Sequence, residues 1–229
     1  GGGGGGSSRP SRAVPSGPRE PRLALPPTPD EVVPESFGAT PALVAETLAL
    51  WDNAQHISMP LVTGVGSMVS VRAVVQIGVD NRAGGANDDV VMYLGVHKAG
   101  DKDTGTAVRV YWNGSAWSQW ATHYNAGTRS ITSHGSLLNA SAATFDGAGA
   151  DVVVELQLSN FGRTVTSSAD VEDGSKRIAG TLALADAHAL VTHLEGGGDL
   201  RLWMGAYIED GGAGCVIRAR LKSLQVVGP

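Results

Sequence analysis

A two-residue alternation of apolar and polar side chains recurs along this chain and dictates extended structure, because successive side chains of a strand leave opposite faces. From Met68 to Ile77, residues Val69, Val71, Ala73, Val75 and Ile77 lie on one side and Ser70, Arg72 and Gln76 on the other. The same rhythm returns in Val90–His97, in Val152–Leu158 with a return through Arg163–Ser168, and in Leu200–Ile208 and Cys215–Leu221. Helical signals are few. Ala42–Leu50 follows Thr40 as N-cap and Pro41 at the first helical position, and Asp186–Leu194 follows its own N-cap aspartate and stops at Gly196-Gly197-Gly198. The 32 glycines fit many short strands with tight turns.

The last two strands invite a specific register. If Asp210 faces Cys215 across the Gly-rich turn, Ile208 meets Ile217, Ala206 meets Ala219 and Met204 meets Leu221 on one dry face. The other face then carries Trp203 opposite Lys222 and Tyr207 opposite Arg218, with Arg220 beside them. A second aromatic group sits in Tyr111-Trp112-Asn113-Gly114-Ser115-Ala116-Trp117 and Trp120. Asn-Gly is a strong hairpin turn, but two registers fit it: a two-residue turn sets Trp112 opposite Ser115, and a four-residue loop pairs Trp112 with Trp117.

Charge and cysteine content exclude several functions. The formal net charge is −5; Arg9, Arg12, Arg19 and Arg22 balance Glu20, Asp30, Glu31 and Glu35, so residues 42–229 carry all of it. That balance lacks the basic footprint of a nucleic-acid binder, and no nucleic-acid partner is expected. Cys215 is the single cysteine, so an intrachain disulfide or thiolate cage is excluded; strand parity places it with Ile217, on the buried side. No stretch approaches the ~18 apolar residues of a membrane span, so a soluble chain with no membrane partner is expected.

Nine of the eleven prolines and the run Gly1–Gly6 fall in residues 1–41, which reads as an extended arm ahead of a single folded domain over 42–229. About nine strands in hairpin order, with long Gly-rich loops and few helices, give an all-β antiparallel sandwich. This succession over residues 55–229 resembles the concanavalin A-like lectin/glucanase jelly roll, which implies that Cys215–Val227 returns to pair near the first strand. The Tyr111–Trp117 hairpin is similar to one that recurs in bacteriophage fibre and structural proteins, as is a Gly/Pro arm ahead of a β-sandwich. That resemblance implies a virion or extracellular location, arm contacts to other virion proteins, and a homo-oligomer, trimers being common among such fibres.

Glucanases of the resembled group carry Glu-x-Asp-x-x-Glu, since retaining cleavage needs two facing carboxylates. No Glu here is followed two positions later by Asp. His56, His97, His123, His134, His188 and His193 have no metal-ligand spacing, and no nucleophile elbow or phosphate loop occurs. Asp101–Gly105 and Asn87–Asp89 carry oxygen ligands of the kind calcium takes, without a full binding pattern. No cofactor is expected, and calcium is the one ion these loops suit. Exposed rings beside polar side chains offer a sugar both an apolar platform and hydrogen bonds. The expected ligand-binding residues are therefore Trp203, Tyr207, Arg218 and Arg220, with Tyr111, Trp112, Trp117 and Trp120. The expectation is adhesion to cell-surface polysaccharide without turnover; a purely structural decoration role and a glycan-degrading enzyme are the alternatives.

Overall fold

The computed structural model describes residues 35–37, 40–46, 55–62, 67–82, 89–172, 178–209 and 214–227. Their elements run β1 (Glu35–Phe37), β2 (Thr40–Glu46), β3 (Gln55–Val62), β4 (Val69–Asp80), β5 (Asp89–Lys98), β6 (Asp101–Trp112) and β7 (Trp117–Asn125). They continue as β8 (Thr128–Ser136), β9 (Ala150–Ser159), β10 (Thr164–Val171), β11 (Ile178–Ala183), α1 (Ala189–Glu195), β12 (Leu200–Glu209) and β13 (Val216–Val227). Among the described residues they form a seven-stranded sheet A, ordered β1-β2-β13-β4-β9-β10-β11, and a six-stranded sheet B, ordered β3-β12-β5-β6-β7-β8. Every strand pair is antiparallel. The chain is a jelly-roll β-sandwich.

Alternation decides what fills the space between the layers. Sheet A sends in Val69, Val71, Val75 and Ile77 of β4, Val154, Leu156 and Leu158 of β9, and Ile217, Ala219 and Leu221 of β13. Sheet B answers with Val90, Met92 and Leu94 of β5, Val108 and Val110 of β6, and Leu202, Met204 and Ile208 of β12. At one end Trp112 and Trp117 meet at 5.5 Å between ring centres, and Phe145 stands edge-on to Trp117 at 4.6 Å. Arg82 lies over the Trp112 ring, its guanidinium carbon 4.2 Å from the centre. The Asn113 carboxamide oxygen accepts from the Ser115 and Ala116 N–H groups, shaping a four-residue loop that pairs Trp112 with Trp117. Leu190, Val191 and Leu194 of α1 are buried in the same core.

Three expectations change. β12 and β13 do not pair: β12 lies between β3 and β5, whereas β13 lies between β2 and β4 in the other sheet. Alternation states which face of a strand is dry but not its neighbour, and two dry faces are satisfied equally by facing each other across a core. The expected helix over Ala42–Leu50 begins as strand β2 over Thr40–Glu46, paired with Val216–Arg220; the open side of β13 overrides a weak helical preference, and residues 47–50 lie outside the described set. The second helix forms, but His188 rather than Asp186 caps it, accepting from the Leu190 N–H at 3.1 Å. The last strand does return beside the early strands β2 and β4. Cys215 is buried as expected.

In β13 the register shifts between Leu221 and Ser223, so the inward set passes from Ile217, Ala219 and Leu221 to Leu224 and Val226. Trp117→Ala removes the ring that joins Trp112 to Phe145 and should cost about 3–5 kcal/mol of stability, read from urea denaturation midpoints at an unchanged slope.

Candidate functional site

The outward faces of the two sheets differ in chemistry. On sheet A, charged and amide groups pair across strands: Arg218 with Asp80, Arg72 with Glu155 at 3.3 Å, and Lys222 with Asp151 at 2.7 Å. Arg220 donates to the Gln76 amide oxygen at 2.6 Å, and Arg218 also donates to the Gly147 carbonyl at 2.7 Å. The paired Arg218 guanidinium holds the Asp80 carboxyl below its ordinary value.

Sheet B carries rings instead. Val91, Tyr93, Ala107, Tyr124, Trp203 and Tyr207 form a second apolar cluster on its outer face, with Tyr111 packed against it. Tyr93 and Tyr124 meet Trp203 edge-on, at 4.8 Å and 5.3 Å between ring centres, and His97 does so at 5.9 Å. Arg109 is buried among them, with its guanidinium 5.6 Å from the Tyr111 ring and 5.5 Å from the Tyr207 ring, and its Nη2 donates to the Tyr207 hydroxyl. Burial pushes the Tyr93 and Tyr124 hydroxyls well above their ordinary range, so both stay protonated. Gly205 makes the packing feasible: a Cβ there would run into the Tyr93 ring.

Trp203, Tyr207, Tyr93, Tyr124 and Arg109 are buried, while Tyr111 and Trp120 are half-buried and form the accessible part of this face. These two rings stand edge-to-face at 5.5 Å. The Trp120 indole N–H donates to the Ser118 hydroxyl at 2.8 Å, which in turn donates to the Tyr111 carbonyl at 3.3 Å. Beside them runs β8, whose Arg129, Ile131 and Ser133 are exposed. Arg109 Nε and Thr122 Oγ1 are buried here without a hydrogen-bond partner. The result is a tilted aromatic ledge over a buried cation and unspent polar groups, suited to a ligand with C–H faces and hydroxyl edges.

The expected site residues therefore divide into three sets. Trp203, Tyr207, Tyr111 and Trp120 share the outer face of sheet B. Trp112 and Trp117 lie on the inner face in the core, since the four-residue loop puts both on the same side as Val110. Arg218 and Arg220 lie on sheet A, in the other layer from Trp203 and Tyr207, so the expected aromatic-cationic patch does not assemble. Tyr93, His97, Arg109 and Tyr124 also belong to this face, beyond the residues expected there. Their signal was the second phase of the alternation, Tyr93 and His97 between core residues and Arg109 between Val108 and Val110.

Of the suggested calcium loops, Asn87-Asp88 lies outside the described residues. The Asp101 carboxylate accepts from the Asp103 N–H at 2.9 Å and the Thr104 hydroxyl at 2.8 Å, closing its own turn. Among the described residues no group of three or more His, Cys, Asp or Glu is placed to hold a metal.

No family model matches the chain, and no curated protein matches it in sequence. Solved structures do resemble it. A functionally unknown protein from Saccharomyces cerevisiae aligns over 88% of this chain and 94% of its own, with a TM-score of 0.52 and 11% identity. The CBM2 module of Lactobacillus casei BL23 phage J-1 evolved Dit aligns over 85% and 79%, with a TM-score of 0.51 and 7% identity. The GH43 BlXynB protein from Bacillus licheniformis aligns over 83% of this chain at a TM-score of 0.51 and 9% identity, this chain spanning 33% of that one. Identities this low show the fold alone. They nevertheless correct the expectation of binding without turnover: chains sharing this sandwich include glycan-degrading enzymes, so the missing Glu-x-Asp-x-x-Glu strand is no ground for excluding catalysis.

Two outcomes follow from the geometry. Gly205→Ala should displace the Tyr93 ring and cost about 1–3 kcal/mol, seen as a lower denaturation midpoint and an altered near-ultraviolet circular dichroism spectrum. Burial holds His123 down to about 4 against an ordinary value of 6.5, helped by neighbouring His188 and His134. The unfolded chain therefore binds this proton first, and the histidine's contribution to stability, complete above pH 6.5, drains away as pH falls toward 4. His123→Asn should flatten that decline in denaturation midpoints measured across the window.

Proposed function

We propose that this chain is a carbohydrate-recognition domain that holds polysaccharide against the outer face of sheet B. The Tyr111–Trp120 pair, braced by Arg109 and half open to solvent, carries this reading. A pyranose laid on the indole buries its C–H face, while Ser133 of β8, opposite Trp120 in the ladder, meets its hydroxyls. The carbohydrate-binding module of the phage J-1 Dit, which shares the fold, supports the ligand class and a phage-particle setting, as does the Tyr111–Trp117 hairpin. In that setting the Pro-rich residues ahead of β1 hold the domain to other virion proteins, and many copies convert weak single contacts into firm attachment to a cell-surface polysaccharide.

Affinity electrophoresis of the full chain through gels containing bacterial cell-wall polysaccharide, xylan or alginate tests the assignment. At least one polysaccharide should retard the parent, and Trp120→Ala and Tyr111→Ala should each weaken retardation about tenfold at a temperature where circular dichroism shows both variants fully folded. Reducing-end release measured on the same panel reads any turnover. A parent that none retards, or variants retarded as strongly as the parent, would overturn the assignment.

A further inference from the structure

β8 and β11 are the edge strands of the two sheets on the same side of the sandwich, and they touch where the His134 ring packs on Gly180. Between them lies a cleft of about 330 Å³, large enough for one monosaccharide unit. It is separate from the aromatic ledge, which lies on the outside of sheet B. Its sheet B wall is polar, with His123, Asn125, Ser130 and Thr132; the opposite wall brings Leu182 at the end of β11 and His188 before α1. Among the described residues that line it there is no carboxylate, ammonium or guanidinium.

The hydrogen-bonding capacity of this cleft is only partly used. His123 is 8% exposed; its Nδ1 shares a hydrogen bond with the Thr106 hydroxyl at 2.9 Å, and its Nε2 is buried with no partner. His188 accepts the Leu190 N–H on Nδ1, so in the neutral ring the proton sits on Nε2 and is a donor. Asn125 accepts the Ala189 N–H on its carboxamide oxygen at 3.0 Å, which leaves its NH2 to donate. Burial lowers the proton affinity of both imidazoles, which keeps the cleft uncharged at neutral pH. A buried imidazole nitrogen left unsatisfied costs free energy that a bound hydroxyl would recover.

We propose that this cleft is a second ligand site, which takes a single uncharged, hydroxyl-rich unit such as the terminal residue of a neutral saccharide. His123 Nε2 and the His188 Nε2–H engage its hydroxyls, Ser130 and Thr132 supply adaptable partners, and Leu182 packs on its C–H surface. The absence of charged lining selects against uronic acids and amino sugars bearing a free ammonium. The site does not depend on the ledge of Tyr111 and Trp120.

Imidazole nitrogen–proton correlation spectra of the full chain, titrated with methyl glucoside, methyl galactoside, N-acetylglucosamine and glucuronate, test this directly. At least one neutral sugar should shift the His123 and His188 resonances saturably at millimolar concentration, and glucuronate should not. Ser130→Val and Thr132→Val lie at exposed positions that leave the core intact, and each should weaken that binding about three- to tenfold. Trp120→Ala should leave it unchanged even if polysaccharide retardation is lost, so the two sites fail separately. No shift with any neutral sugar, equal shifts with glucuronate, or a response to zinc chloride alone would overturn the proposal.

Discussion

The closure of two stacked sheets over one apolar interior is the constraint from which every other feature follows. Facing rows from β4, β9 and β13 on one side and β5, β6 and β12 on the other exclude water only if the residues between them turn outward. Those outward residues have no freedom of direction, so their chemistry becomes the chemistry of the surface. The Trp112–Trp117–Phe145 group works at one end of this interior as a large, rigid filler, and the buried side of α1 adds to the same core.

Given that constraint, the two outer faces have diverged. On sheet A, cross-strand pairs such as Arg218 with Asp80 and Lys222 with Asp151 satisfy one another, and screened surface pairs of this kind add little net stability. On sheet B, ring meets ring around Trp203, and the only cation in the middle, Arg109 among the described residues, is held by tyrosines rather than by a carboxylate. One face is laced by cross-strand ion pairs; the other is built of rings around a buried guanidinium.

How much of this could be read beforehand depends on what a two-residue period encodes. It encodes sides, so the opposition of Met204 and Ile208 to Trp203 and Tyr207, and the interior position of Cys215, were legible. It does not encode neighbours. Leu200–Ile208 and Cys215–Leu221 look like a hairpin because both are alternating and close in sequence, yet each satisfies its dry face from a different layer. Nor does composition distinguish a tryptophan needed as filler from one presented outside, which is why Trp112 and Trp117 resemble Trp120 until the loop register is known. The cleft between β8 and β11 was hidden for a further reason: its histidines are separated by tens of residues and share no spacing.

β13 comes last among the described strands and yet sits inside its sheet, hydrogen-bonded to β2 on one side and β4 on the other. The two ladders overlap only over Val216–Arg220, while Leu221–Val227 pairs with β4 alone, so a pull on the far end of β13 works against the β4 ladder before it reaches the doubly held half. β1, by contrast, is a marginal strand of three residues with one neighbour. A pull applied at Glu35 would therefore meet three residue pairs before it reached the longer ladder that joins β2 to β13.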